Sequence, residues 1–197
     1  MSHDNFEHYS LEDDDDQAPV PIAAQRKRCT DVKCGSQSQS AFCTPLSFDQ
    51  ELALGPGGFL VPLSTLATNT DGIRGVLKLK FNSSLSRAAY ALYVFGATNP
   101  TNRIVGAHLH AGSTSQTGPV VVDLFNGPAR NVNGLLIKGL IDNSSIAGLN
   151  GVDEYPTVNS VASLYSAIQD GYVYANVHSA QFPDGVVRGQ IYPAAGL

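Results

Sequence analysis

In Leu77-Lys78-Leu79-Lys80-Phe81, apolar and basic side chains alternate. A period of two belongs to an extended strand with one buried face and one wet face. Short segments of this kind recur along the chain, bounded by Gly, Pro, Asn or Ser. Ala89–Phe95 is apolar on both faces, as a central strand is. Val120–Phe125, Leu135–Ile141, Tyr172–His178 and Val186–Tyr192 also read as strands. Gly55-Pro56-Gly57-Gly58 is a turn. One segment has helical spacing: Val161, Leu164, Tyr165 and Ile168, stopped by Gly171. Many short strands with one helix near Val161–Asp170 predict an all-β protein, an antiparallel β-sandwich of Greek-key-like form. Seven to nine strands are expected from near Phe48 to Pro193.

Two segments about seventy residues apart carry most of the polar signal. The first is Ala107-His108-Leu109-His110-Ala111-Gly112, running on to Gly118-Pro119-Val120-Val121. The second is Tyr172-Val173-Tyr174-Ala175-Asn176-Val177-His178, running on to Pro183-Asp184-Gly185-Val186-Val187-Arg188-Gly189-Gln190-Ile191. Three of the five histidines lie here. On a strand, His108 and His110 share a face and Leu109 takes the other. His178 shares its face with Tyr172, Tyr174 and Asn176. Were the two strands neighbours, His108, His110 and His178 would form an open three-histidine site suited to copper or zinc. The competing reading is that the rings hydrogen-bond locally and brace the sheet. Arg188 and Gln190 alternate with Val187 and Ile191 and so face away from the core. Arg188 there holds a carboxylate, with Asp184 a candidate, or caps the sheet. Gly112 and Gly118-Pro119 bracket a Ser/Thr-rich loop and serve turn geometry.

Together these residues resemble the CHRD domain, a repeat first described in chordin and found in many secreted and surface proteins. The family pattern runs A-H-I-H-x-G, G-P-V-V, Y-V-N-V-H-T, then P-x-G-E-I-R-G-Q-I. The likeness rests on His108, His110, Gly112, Gly118, Pro119, Val120, Val121, Asn176, Val177, His178, Pro183, Gly185, Arg188, Gly189, Gln190 and Ile191. It spans about Phe48 to Pro193, and Val61-Pro62-Leu63 resembles an early V-P-P. Val186 stands where the family has Glu, which removes that carboxylate as a partner for Arg188. The resemblance implies an all-β domain that mediates protein–protein contacts. The H-x-H strand is also similar to the copper ligands of copper–zinc superoxide dismutase. That likeness ends at the H-x-H and the sandwich: a fourth His and the zinc ligands are missing, so it does not imply dismutase activity.

Residues 1–47 are expected to form an acidic, cysteine-containing tail or linker, disordered or extended, with the domain occupying 48–197. The net charge is -5, yet residues 1–25 hold seven acids and no Lys or Arg, leaving ten acids against twelve bases in the remainder. With no basic stripe, nucleic acid is not an expected partner. No stretch is long and apolar enough to span a bilayer, and Met1 opens no signal-peptide pattern. Cys29, Cys34 and Cys43 fit either one local disulfide plus a thiol for an intermolecular bridge, or three reduced thiols. Arg26-Lys27-Arg28 is a cleavage site or a solvated basic patch. Asn82-Ser83-Ser84 and Asn143-Ser144-Ser145 match the glycosylation acceptor pattern. No G-x-S-x-G, phosphate-binding glycine loop or H-E-x-x-H occurs. The expected function is therefore non-enzymatic: a matrix, surface or particle component that binds other protein subunits or copies of itself, located outside cells, on their surface or in a virus particle. The alternative is a copper- or zinc-binding protein, or a metal-dependent redox enzyme, using the three histidines.

Overall fold

The computed structural model describes residues 40–150 and 154–192. Ten strands occur among them: β1 (Ala41–Leu46), β2 (Leu52–Leu54), β3 (Leu60–Pro62), β4 (Arg74–Phe81), β5 (Ala88–Ala97), β6 (Ile104–Ala111), β7 (Val120–Arg130), β8 (Val132–Ile141), β9 (Val173–Ser179) and β10 (Val187–Gln190). One helix, α1 (Val161–Gln169), precedes β9. Two four-stranded sheets form, ordered β1-β4-β5-β8 and β10-β9-β6-β7, and every pairing is antiparallel. After β6 and β7 in the second sheet, β8 returns to pair with β5, a Greek-key return. The all-β sandwich expected from the strand periodicity is what forms.

Each alternation resolves as physics requires. Leu77, Leu79 and Phe81 point into the core, while Lys78 and Lys80 take the opposite face. β5 lies between β4 and β8, and Leu92 and Val94 are fully buried. Leu109, Ile104 and Ala107 of β6 meet Ala175 and Val177 of β9 in the same core. Helix α1 begins at Ser160, whose hydroxyl accepts from the Ser163 backbone N–H while Ser163 bonds back to the Ser160 backbone, a capping box. Val161, Leu164, Ala167 and Ile168 form its buried face. Tyr165 sits at that face's margin, edge-on to Phe81 with centroids 5.2 Å apart. Gly171 follows at φ +76°, where a left-handed residue ends a helix readily.

β1 falls before Phe48, within the residues expected to be tail. It pairs with β4 along its whole length, from Ala41 opposite Lys80 to Leu46 opposite Gly75. Phe42 and Leu46 are buried, so this strand closes one side of the core. Just beyond it, Ser47 and Arg188 bridge the two sheets, exchanging backbone hydrogen bonds of 2.9 and 3.1 Å. Expectations for residues 1–39, including Cys29, Cys34 and the basic triplet, lie outside the described residues. Among the described residues, no helix is long and apolar enough to cross a membrane.

Leu109 is fully buried directly behind the H-x-H face. Leu109→Ala should cost about 2–5 kcal/mol. Urea denaturation would show this as a lower midpoint with an unchanged slope.

Candidate metal centre

The pairing of β6 with β9 answers the question that spacing alone left open. Gly106 faces His178, His108 faces Asn176, and His110 faces Tyr174. His178 is thus diagonal to His108 on one sheet face. One nitrogen from each of His108, His110 and His178 lies within 4.8 Å of the others. Nδ1 of His108 and Nε2 of His178 are 3.0 Å apart. Gly106 lies against the rings: a Cβ there would make ordinary contact with His108 Cε1 at 3.4 Å and His178 Cδ2 at 3.7 Å. The sequence reading did not single out Gly106 or Asp123, whose Oδ1 is 3.4 Å from His108 Nε2. Asp123 sits opposite His108 on β7, and only the strand register reveals it.

Two of the remaining ring nitrogens meet backbone carbonyls, and His110 Nε2 is buried without a hydrogen-bond partner. His110 Nδ1 donates to Gly118 O at 2.8 Å, and His178 Nδ1 donates to Pro183 O at 2.8 Å. His110 also stacks on Tyr174, centroids 4.9 Å apart and planes 7° from parallel. Beyond the phenol ring lies Arg188, its Cζ 3.4 Å from the centroid. Gly118 is fixed from both ends, because its N–H donates to the Tyr174 hydroxyl at 3.1 Å. A side chain at Gly118 would run into the Ala111 carbonyl, so glycine is a steric requirement there.

Arg188 and Gln190 do face away from the inter-sheet core, yet both are buried. The loops after β1 and β6 cover this face. The Arg188 guanidinium donates to Gln116 O at 2.8 Å and Ser113 O at 2.6 Å. Gln190 Nε2 reaches Gly112 O, Gly171 O and Val173 O. These two side chains therefore hold the loop between Gly112 and Gly118. Neither Asp184 nor a family-type carboxylate at 186 does the pairing with Arg188, and Val186 is fully buried. The nearby buried acid is Glu51, from the turn after β1. Its Oε1 accepts from Leu52 N at 3.1 Å and Asn176 Nδ2 at 3.4 Å. Gly185, at φ +141°, gives Glu51 room: a Cβ there would lie 2.5 Å from Oε2. Gly189 is equally constrained, since a Cβ would strike Pro45 O.

Burial depresses the pKa of all three histidines, that of His110 to about 4. Neutral imidazoles, the form that binds metal, result at neutral pH. Burial also lifts Glu51 to about 7, against the opposing pull of the Leu52 N–H and Arg188.

The other candidates sit apart from this cluster. Cys43 lies on β1 opposite Lys78. Asn82 caps the β4–β5 turn: its Oδ1 accepts from Ser86 N and Arg87 N, and its Nδ2 donates to Ser84 and Ser86 hydroxyls. Asn143 Oδ1 accepts from the Val161 N–H at 2.9 Å and so helps start α1.

Compared with known proteins, a family model described as the CHRD domain matches residues 46–191. No curated protein and no solved structure matches the chain.

Glu51 and His110 pull stability in opposite directions over one pH range. A raised Glu51 pKa keeps the proton on the folded state, so stability falls as pH rises from about 4.5 to 7. A depressed His110 pKa leaves the proton on the unfolded state, so stability rises from about pH 4 to 6.5. His108 and His178 are depressed in the same direction as His110, so the wild-type profile should rise with pH there. Glu51→Gln removes one side, and its stability relative to wild type should grow by about 3 kcal/mol between pH 4.5 and 7. Urea titrations of both proteins across that range measure the difference; a constant offset would mean Glu51 ionises as it does in water.

Proposed function

The chain belongs to the CHRD domain family, a family that suggests a protein-interaction module, and we propose that it is a non-enzymatic structural component of an extracellular matrix, cell surface or particle that assembles with copies of itself. One observation carries the reading. Strands β1, β4, β5 and β8 contain four cations, Arg74, Lys78, Lys80 and Lys138, and no Asp or Glu. Arg74, Lys78 and Lys80 share the outer face of that sheet, and Lys138 joins the same row through Ala91. Aromatic rings widen the face: Arg74 lies 5.4 Å over Phe95, and Lys78 5.4 Å over Tyr93.

The complement is in the same chain. Residues 1–25 carry seven acids and no base, with five of them at Glu12-Asp13-Asp14-Asp15-Asp16. The occupant of the basic face is this acidic run from a second copy. A one-sign face opposite a one-sign segment favours encounter and sets orientation. The absence of nucleophile and phosphate-binding motifs supports a non-catalytic role, and the family's occurrence in extracellular proteins supports an external location.

Sedimentation velocity on the full chain tests the assembly. At about 50 mM salt it should run as a dimer or larger, and at about 0.5 M salt with reductant it should dissociate, because screening shortens the reach of these charges. Lys78→Glu with Lys80→Glu should weaken association at low salt. A monomer at every concentration, with and without salt and reductant, would overturn the reading.

A further inference from the structure

We propose that His108 Nδ1, His110 Nε2 and His178 Nε2 bind one divalent first-row transition ion, copper in preference to zinc, with one coordination position left open. The proposal stands apart from the assembly reading and rests on which nitrogen of each ring carries a proton.

Two of the tautomers are fixed by carbonyl acceptors. A carbonyl oxygen cannot donate, so His110 Nδ1 and His178 Nδ1 must carry hydrogens toward Gly118 O and Pro183 O. Their Nε2 atoms are then bare lone pairs. His110 Nε2 is buried and has no hydrogen-bond partner. Such an orphaned acceptor costs about 1–3 kcal/mol unless something occupies it.

His108 cannot satisfy both of its neighbours with one hydrogen. With the hydrogen on Nδ1 it donates to His178 Nε2 at 3.0 Å, but its bare Nε2 then faces the Asp123 carboxylate at 3.4 Å. With the hydrogen on Nε2 it serves Asp123, but two lone pairs then oppose each other at 3.0 Å. A cation among the rings removes the conflict. In the second tautomer all three outer nitrogens donate to oxygen and all three inner nitrogens offer lone pairs. Oriented rings backed by oxygen acceptors are the usual outer arrangement of histidine metal sites.

The dimensions suit the ion. Two nitrogens each 2.0–2.1 Å from a tetrahedral ion lie roughly 3.4 Å apart. His108 Nδ1 and His178 Nε2 are 3.0 Å apart, and one nitrogen of each of the three rings lies within 4.8 Å of the others, so the rings sit at the spacing such an ion needs. Imidazole without thiolate or carboxylate selects copper and zinc over calcium, magnesium and manganese, and the Irving–Williams order puts copper first. The His108 side chain is 19% exposed, so an ion and a fourth ligand have a way in.

The test uses the full chain stripped with chelator. Metal must be assigned to this site and not to His3 and His8 of the acidic segment. Titration with copper(II) and zinc in the presence of a competing chelator should give one ion per chain at the site, raise Tm, and favour copper. His3→Ala with His8→Ala should keep that ion. His108→Ala should lose it. Asp123→Asn, at an exposed position, should keep the fold and weaken binding about 10- to 100-fold. If His108→Ala fails to fold, ring-nitrogen NMR shifts of the wild-type zinc form decide: His108 must ligate through Nδ1, and His110 and His178 through Nε2. No ion retained against the chelator, equal binding by folded His108→Ala, or unmoved ring-nitrogen shifts would each overturn the proposal.

Discussion

The antiparallel register of β6 on β9 is the constraint from which the site follows. It sets Gly106 against His178, His108 against Asn176 and His110 against Tyr174. A slip of β6 by one residue against β9 would send His108 and His110 into the core and bring Leu109 to the surface. Burial of Leu109, Ala107, Ala175 and Val177 opposes that slip. The apolar face of the pair thus fixes the geometry of its polar face. The functional half of each strand depends on the structural half through the period of two.

The polar face is itself buried, and that burial has to be compensated. Arg188 supplies much of the compensation. Its guanidinium meets two loop carbonyls, stacks on Tyr174 and lies near the Glu51 carboxyl. A buried cation is tolerated when its donors are met and its face is covered. One consequence is reach: the loop that Arg188 secures ends at Gly118, whose carbonyl orients His110. Arg188, Tyr174 and His110 form one column, so the ring that carries the orphaned nitrogen is held from the side as well as from the edge. Glu51 is held less completely, since its Oε2 has no hydrogen-bond partner. Burial raises its pKa to about 7, against the pull of the Leu52 N–H and Arg188.

How much of this the sequence made legible depends on the range of the interaction. Alternation is local, so Leu77–Phe81, Ala89–Phe95 and Tyr172–His178 could be read as strands, and α1 could be read from its periodicity and Gly171. The common face of His108 and His110 is local too. The adjacency of His178 is not, because pairing between segments about seventy residues apart leaves no periodic trace. The contribution of Glu51 was equally hidden: it comes from a turn near the start of the domain, and the departure at Val186 pointed to the loss of a carboxylate without indicating a replacement. Outward-facing Arg188 was correctly placed by alternation, but its burial depends on loops whose path alternation does not encode. β1 was obscured for another reason, lying among polar and cysteine-bearing residues where its six-residue apolar pattern is weak.

The two sheets present different chemistry on their outer faces. The strands of the β1-β4-β5-β8 sheet carry four cations and no Asp or Glu. The β10-β9-β6-β7 sheet has neutral imidazoles behind loops, a surface suited to one small ion. They share a core but no side chain on either outer face. Sites that share no partners and lie on opposite sides of a packed interior act nearly independently. Substitutions on the outer face of one sheet should therefore leave the outer face of the other undisturbed. The Ser47–Arg188 bridge is the exception, because it ties β1 of the basic sheet to the arginine that anchors the loop beside His110. Any movement of β1 caused by a partner on the basic face would reach the histidines by that path.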